Sequence, residues 1–318
     1  MIERLNFTPI ALFGCPLGLL GLTLATLHIE TSEGSAHVAG GSLLAVTIVV
    51  FTLVLAAYIT KAARSPASVL SDWSHPVRCN FFAIISGTFA LLGLAILPFS
   101  ADVALPVWAV GAAAQLGVTL GIVAKWVGPK VFEPATLSPA QFLPAVGNVL
   151  VPLAGVPLGF VEVSWFFFCV GLLLWIVLMP VVVGRLLSQP SPPEGLLPTL
   201  AILIAPPSLL MMGYLRLDPS GAETFSKILY YSSLMLFLVV LTQIRRLAQL
   251  PFTLSWWAYT FPMAAFTIGT LTFADASGIV GFRYFGAVLF TILSCIVLTV
   301  LWRTLRALAA GQLFVPES

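Results

Sequence analysis

The sequence predicts an all-α integral membrane protein. Hydrophobic residues make up 59% of the 318 residues and charged residues only 8%, whereas about a quarter of the residues in a soluble domain are charged. Apolar runs of about 20 residues recur along the chain, and this is the length that an α-helix needs to cross a bilayer. Because lipid offers no hydrogen-bond partners to the backbone, we expect these runs to be helices.

Ten such runs divide the chain, and the fifth is interrupted by Pro144, Pro152 and Pro157. No cleaved signal peptide is expected, since the apolar run after the short polar N-terminus continues into this pattern. We therefore predict a single transmembrane domain over residues 1–318. The predicted spans are Pro9–Leu27, Val38–Ala62, Asn80–Leu97, Val103–Lys125, Ala140–Gly159, Val163–Leu187, Leu196–Leu215, Glu223–Ile244, Leu254–Ala274 and Ile279–Ala309.

The links between spans predict helical hairpins and their orientation. Several links are only a few residues long, such as Pro98–Asp102 and Asp275–Gly278, so the spans that they join must be antiparallel neighbours. The short links all lie on one side of the membrane, and basic residues concentrate on the other side. By the positive-inside rule, the basic side is cytoplasmic, and both termini lie there. The cytoplasmic set comprises Arg4, Lys61, Arg64, Arg78, Lys125, Lys130, Arg185, Arg245, Arg246, Arg303 and Arg306, and the outer set comprises Arg216, Lys227 and Arg283.

A weak repeat with a period of two helices predicts which helices face an interior. The odd-numbered spans carry proline or glycine at mid-depth, whereas the even-numbered spans are smoother. Proline frees a backbone carbonyl, which a membrane helix tolerates where protein or water can satisfy it. We therefore expect ten transmembrane helices, arranged as five hairpins with quasi-five-fold symmetry around a central pore. The repeated positions are Gly14, Pro16, Gly18, Gly87, Gly93, Pro144, Gly147, Pro152, Pro206, Pro207, Gly213, Pro262 and Gly269.

The centre of the predicted pore is uncharged. No odd span places an ionisable residue in its central part, although ion-coupled carriers usually keep such a group near mid-membrane. Small polar residues remain as possible solute contacts. The alternative for Asn148 is a hydrogen bond to a neighbouring helix, which is the commoner use of such a residue. The alternative for Gly14, Gly18 and Gly21 of span 1 is close packing of helices. The pore-lining candidates are Gly18, Ser86, Gly147, Asn148, Pro207, Ser208, Ala265 and Gly269.

Phe261 is the predicted gate. On a helix, Trp257, Phe261, Ala265 and Gly269 share one face, so a large ring is followed by small residues. A single phenylalanine in a membrane helix is most often a packing or lipid-facing residue. Pro262, which follows it on a centre-facing helix, favours a second interpretation, in which the ring projects into the pore and blocks it sterically and by dewetting.

The sequence gives no sign of an enzyme. It contains no H-E-x-x-H, G-x-S-x-G or phosphate-loop motif, so no catalytic residue is expected. The three histidines lie at span ends or in links, and the four cysteines are scattered singly, which predicts neither a metal site nor a disulfide. We expect no cofactor and no nucleic-acid partner.

Short motifs in the odd spans resemble the tellurite-resistance/dicarboxylate transporter family, to which bacterial TehA proteins and plant guard-cell slow anion channels belong. The resemblance covers nearly the whole chain. It rests on Phe13–Leu19 in span 1, His75–Arg78 with Asn80–Phe82 entering span 3, Phe142–Val146 in span 5, Ala205–Pro206 with Tyr214 in span 7, and Trp256–Pro262 in span 9.

The resemblance implies ten helices around a pore, a homotrimer with one pore per protomer, a bacterial inner-membrane location, and a phenylalanine gate at Phe261 packed beside Gly14. The long phosphorylated tails of the plant channels have no counterpart in this sequence, so we expect no kinase gating of that kind. We expect an anion-selective channel for small monovalent inorganic anions in the lipid bilayer. The alternative is a secondary transporter or exporter of C4-dicarboxylates or of oxyanions such as sulfite and tellurite.

Overall fold

The computed structural model describes residues 6–128, 136–219 and 223–313 of the chain, and within these ranges it contains helices and no β-strand. Arg4 and Lys130, which contribute to the predicted charge asymmetry, lie outside the described residues. The α-helices are α1 Gly14–Ser32, α2 Val38–Arg64, α3 Pro66–Ser74, α4 Phe82–Ile96, α5 Ala101–Val127, α6 Leu143–Gly155, α7 Val161–Ser188, α8 Ala205–Leu217, α9 Glu223–Thr242, α10 Ile244–Ala248, α11 Thr260–Ser277 and α12 Val280–Ala309.

Eight helical segments among the described residues are long and apolar enough to cross a membrane. The predicted fifth and ninth spans are not among these eight. The fifth contains α6, whose 13 residues correspond to about 20 Å of helix. The ninth contains α11, an 18-residue helix whose last turn carries Asp275. Eight of the ten predicted spans are therefore confirmed as helices able to cross a membrane.

Five helices contact one another in a closed sequence. Helix α1 packs against α4, α4 against α6, α6 against α8, α8 against α11, and α11 against α1. Each of them also packs against the next long helix in the chain, which is α2, α5, α7, α9 or α12. We call the first set the inner helices and the second set the outer helices.

Burial separates the two sets. In its most apolar part, the segment Ile10–Ser32 is 83% buried, whereas the segment Val38–Arg64 is 28% buried. The outer helix α2 exposes large apolar side chains such as Val49 and Leu53. An apolar exposed surface is what a lipid-facing helix requires, and the buried inner helices form the core.

Each inner α-helix begins directly after a 3₁₀ segment. These segments are Ile10–Phe13, Arg78–Phe81, Pro139–Phe142, Glu194–Ile204 and Leu254–Tyr259. The prolines that suggested broken helices lie mostly at this junction. Pro16, Pro144, Pro206 and Pro262 fall in the first turn of their α-helices, where a missing backbone N–H costs no α-helical hydrogen bond.

Prolines are not confined to the inner helices. Pro152 lies inside α6, as predicted for an odd span, but Pro106 lies inside the outer helix α5 and Pro180 inside the outer helix α7. What distinguishes the inner helices is the change from 3₁₀ to α-helix at their N-terminal ends. The short helices α3 and α10 were not predicted, and both lie in links between hairpins.

Candidate functional site

Two cavities inside the ring of inner helices meet at one side chain. The narrow cavity, of about 40 Å³, lies among the N-terminal ends of the inner helices. The wide cavity, of about 630 Å³, lies among their C-terminal halves. Of the residues that line these two cavities, Phe261 alone belongs to both. Phe261 is 7% exposed, and its place in both linings puts it at the boundary of the two cavities.

The narrow cavity is apolar and closely bounded. All five inner helices contribute to its wall, and none of its described lining residues is ionisable. Its volume of about 40 Å³ is far smaller than that of the wide cavity, which is about 630 Å³. Water needs several polar partners to remain in such a space. Its wall includes Gly14, Leu17, Ile84, Val146, Ala205 and Phe261.

The wide cavity differs in both size and charge. All five inner helices again line it, and most of its wall is leucine, alanine, methionine and isoleucine. Three ionisable side chains enter its lining: His28 from α1, Arg216 from α8 and Asp275 from α11. His28 Nε2 lies 3.4 Å from Asp275 Oδ2, and Asp275 Oδ1 accepts a 3.1 Å hydrogen bond from Arg283 Nη2.

A third space, the mouth cavity, adjoins the narrow cavity. It has a volume of about 450 Å³, is lined by His75 and Arg78 among others, and shares Ala11, Phe81 and Ser255 with the narrow cavity. The three spaces thus follow one another through the ring, with the narrow cavity and Phe261 in the middle.

A buried charge cluster holds Arg78 at the mouth cavity. Asp72, which is 3% exposed, accepts hydrogen bonds from Lys61 Nζ at 2.6 Å and from Tyr58 Oη at 3.0 Å. Arg78 Nη1 lies 3.4 Å from its other oxygen. A buried carboxylate is stable only when it is paired and hydrogen-bonded, and two cations meet that need here.

Phe261 is positioned by the helix start that precedes it. Trp257, in the 3₁₀ segment before α11, is buried and donates a hydrogen bond from Nε1 to Thr304 Oγ1 of α12 at 3.0 Å. Trp256 stacks under the Arg303 guanidinium, 4.8 Å from its ring centre. These two contacts anchor the segment that precedes Phe261, the second residue of α11, whose side chain lines both cavities.

Two glycines of α1 make the close approach of α11 possible. A Cβ at Gly14 would lie 2.9 Å from Trp257 Cβ, and Gly14 also lines the narrow cavity. A Cβ at Gly21 would lie 2.6 Å from Ala264 Cβ and 3.5 Å from Phe261 Cδ2. The glycine that packs against the Phe261 ring is therefore Gly21, one that the sequence placed only in a packing stripe, while Gly14 packs against the tryptophan before it.

Three of the predicted lining residues face the outer helix α5. Ser86 donates a 2.6 Å hydrogen bond to Gln115 Oε1, and a Cβ at Gly147 would collide with the Gln115 side chain. Asn148 Nδ2 donates to Thr119 Oγ1 at 2.8 Å and to the Pro144 carbonyl at 2.7 Å. The bonds from Ser86 to Gln115 and from Asn148 to Thr119 are helix-to-helix hydrogen bonds, the alternative that the sequence left open for Asn148.

The remaining candidates divide between packing and lining. Ala265 lines the wide cavity. Gly18 packs against Thr260 and Trp257, and a Cβ at Gly269 would lie 3.3 Å from Ser208 Cβ, at the contact of α11 with α8. Ser208 shares a 2.6 Å hydrogen bond with Ser233 of α9. Pro207 is buried next to Ser208 in the first turn of α8 and belongs to neither of the two cavity linings.

The sequence did not associate His28, Arg216 and Asp275 with one another. They lie at the ends of three different inner helices, and only the fold brings them to one cavity. The available signal was that Arg216 is one of few cations on the predicted outer side. Within the described ranges, no group of three or more His, Cys, Asp or Glu side chains is arranged to hold a metal ion.

Comparison with known proteins identifies relatives in plants, bacteria and archaea. The S-type anion channel SLAH2 of Arabidopsis thaliana is 29% identical over 92% of this chain, which spans 59% of that channel's length. The tellurite resistance protein TehA homolog of Haemophilus influenzae is 28% identical over 99% of this chain and 96% of its own length. An uncharacterized transporter, MJ0762, of Methanocaldococcus jannaschii is 21% identical over 84% of this chain and 85% of its own.

The family model described as voltage-dependent anion channel, SLAC1, matches residues 6–305, which include all five inner helices and nearly all of the last outer helix. With eight apolar segments able to cross a membrane, the chain is a multi-pass membrane protein. It belongs to the SLAC1/TehA family of membrane anion channels and transporters.

Proposed function

We propose that this protein is an anion-selective channel whose conduction path runs through the three cavities and is gated by Phe261. One observation carries the proposal: among the residues that the structure describes, Phe261 is the single one shared by the linings of the narrow and wide cavities. A ring at that position interrupts any continuous column of water. Its movement would join a large hydrated space to the mouth cavity.

We further propose ten membrane-crossing helices in five hairpins, with quasi-five-fold symmetry around this path. The closed sequence of contacts among the inner helices supports this arrangement, as does the pairing of each inner helix with an outer one. The positive-inside rule places both termini in the cytoplasm, and the full-length match to a bacterial TehA homologue favours the bacterial inner membrane. A homotrimer follows only from the resemblance, and chemical cross-linking in native membranes tests it.

Selectivity in this proposal follows from the uncharged wall of the narrow cavity. An apolar wall cannot replace the water that an ion loses, so the energy of dehydration dominates the barrier. Small monovalent anions that lose water easily, such as nitrate, are expected to pass more readily than chloride. Divalent anions face a higher barrier, because the cost of removing hydration rises steeply with charge.

Current measurements on purified protein in planar lipid bilayers test the proposal. Wild type and Phe261→Ala are compared under gradients of chloride and of nitrate. We expect large currents from the variant, with reversal potentials close to the equilibrium potential of the anion. Phe285→Ala is the matched control, since Phe285 is a half-buried ring on α12 outside both cavity linings. Equal currents from wild type and Phe261→Ala would contradict the assignment of Phe261 as the gate. Reversal potentials close to the equilibrium potential of the cation would contradict anion selectivity.

A second candidate function is a secondary carrier for a dicarboxylate or an oxyanion such as sulfite or tellurite. Two observations favour testing it: relatives are named as transporters and as a tellurite resistance protein, and the wide cavity offers Arg216 and His28 to an anion. A carrier predicts saturable uptake into proteoliposomes that accelerates when the same solute is loaded inside. A channel predicts uptake without that acceleration.

A further inference from the structure

The wide cavity contains charge that the rest of the proposed path lacks. The narrow cavity has no ionisable residue in its described lining, whereas Arg216, His28 and Asp275 line the wide cavity. At about 630 Å³ the wide cavity is large enough to hold a hydrated ion together with its water.

Arg216 carries an uncompensated positive charge. It lies in the last turn of α8, and it makes no hydrogen bond or ion pair with any other residue that the structure describes. Most of the surrounding wall is apolar, and Arg216 itself is an exposed residue. A guanidinium offers five N–H donors in one plane and remains charged at all physiological pH values. It is therefore able to bind an anion without a second charged group.

His28 faces the same cavity from α1. Its Nε2 atom is buried and has no hydrogen-bond partner, although Asp275 Oδ2 lies 3.4 Å away. Asp275 is itself engaged by Arg283 at 3.1 Å. His28 Nε2 is thus closed to the cavity and faces Asp275, so the contribution of His28 to this space is its charge when it is protonated.

Asp275 is the one acidic residue among the described residues of the cavity lining. Glu30, also on α1, has its two oxygens on the backbone amides of Ala39 and Gly40 at 2.9 and 3.0 Å. Helices α4 and α6 add only apolar or uncharged residues to the cavity wall, such as Leu91 and Leu153. Asp275 is paired with Arg283 at 3.1 Å, and protonation of His28 adds one positive charge to the cavity wall.

We propose that the wide cavity contains a binding site for a small inorganic anion, in which Arg216 supplies the charge and the hydrogen-bond donors, and protonated His28 a second positive charge. The inference rests on the proposed function, because it places a waiting ion beside the Phe261 gate. Protonation of His28 adds a positive charge to the wall of the same space, so anion binding strengthens as the pH falls. Focusing of this kind raises the local concentration of counter-ions in a cleft.

Binding can be measured without conduction. Chloride is titrated into purified protein in detergent and followed by the line width of the ³⁵Cl NMR signal. We expect wild type to broaden the signal and Arg216→Gln to bind chloride about tenfold more weakly, with partial recovery in Arg216→Lys. Lys227→Gln is the matched control, since it removes a cation on the same predicted side that is outside the cavity lining. No binding by wild type, or equal binding by Arg216→Gln, would overturn the site.

The role of His28 is tested by pH. Between pH 8 and pH 5, chloride affinity should rise in wild type and stay level in His28→Gln. The same rise in both proteins would remove His28 from the site.

Failure of this site is distinguishable from failure of the channel. In the Phe261→Ala background, Arg216→Gln should lower the current at low chloride more than at high chloride. If Phe261→Ala carries no current while wild type still binds chloride at Arg216, the site stands and the channel proposal falls. If Phe261→Ala conducts and Arg216→Gln changes neither binding nor current, the channel stands and the site falls.

Discussion

The narrow and wide cavities are lined by the same five helices but differ in what an ion would meet. The narrow cavity is about 40 Å³, apolar and uncharged, and the wide cavity is about 630 Å³ and contains Arg216, His28 and Asp275. The difference separates two tasks. A barrier to conduction belongs to the apolar part, where an ion loses its water, and attraction of the ion belongs to the charged part. Substitutions in the two parts should therefore change different measured quantities.

The largest effect is expected at Phe261, where the two cavities meet. Shortening the side chain in the order Phe, Leu, Ala should raise the single-channel conductance stepwise, because each step widens the contact between the cavities. A barrier lowered by about 1.4 kcal/mol corresponds to about a tenfold increase, which we expect at least for Phe261→Ala. Phe261→Trp should keep the path closed. If conductance does not follow side-chain size, the two cavities are not separated by this ring.

A smaller effect is expected from adding polarity to the narrow cavity. Val146→Thr leaves the shape nearly unchanged and places a hydroxyl in the wall, which partly replaces lost water. In the Phe261→Ala background we expect conductance to rise about threefold, equivalent to about 0.65 kcal/mol. Val149→Thr on the same helix is the control, because Val149 packs against Gly171 of α7. An equal response from both variants would show that position in the cavity does not matter.

The next effect concerns stability at the gate. Gly21→Ala adds a methyl group 2.6 Å from Ala264 Cβ, whereas Gly117→Ala on α5 meets nothing within 4 Å. Overpacking of a well-packed core costs about 1–3 kcal/mol, so Gly21→Ala should lower the melting temperature in detergent. Gly117→Ala should leave it unchanged or raise it slightly. Equal melting temperatures would mean that α1 and α11 can separate freely beside Phe261.

No effect on conductance is expected at Asn148, which faces α5 rather than either cavity. Asn148→Ala removes its hydrogen bonds to Thr119 and the Pro144 carbonyl, which should cost about 1 kcal/mol of stability. The measurement is a pair: melting temperature, and current in the Phe261→Ala background. A change in ion selectivity would show that Asn148 contacts the permeating ion.

The sequence allowed prediction of the membrane class and most of the spans, and it singled out Phe261 as the candidate gate. Length and hydropathy determine spans directly, and the four-residue spacing from Trp257 to Ala265 distinguishes Phe261 from its aromatic neighbours. The direction of a small polar side chain was not predictable, because such a side chain can face either the interior of the ring or a neighbouring helix. Ser86 and Asn148 accordingly contact α5.

The charged site needed the tertiary structure. Arg216, His28 and Asp275 lie at helix ends, where a residue can point to solvent, to lipid headgroups or inward. Their convergence depends on the relative heights of α1, α8 and α11, and the sequence contains no measure of these heights. The mid-span prolines misled in the same way. They predicted freed backbone carbonyls within the helices, but most of them mark the junction between a 3₁₀ segment and an α-helix.

The 3₁₀ segments also determine how far each inner helix reaches. A 3₁₀ segment advances about 2.0 Å per residue against about 1.5 Å in an α-helix. The 4 residues Pro139–Phe142 and the 13 residues of α6 together reach about 28 Å, close to the hydrocarbon thickness of about 30 Å. The 6 residues Leu254–Tyr259 and the 18 of α11 reach about 39 Å by the same rises. An inner helix that begins with a 3₁₀ segment thus spans the same distance in the bilayer with fewer residues than a continuous α-helix would need.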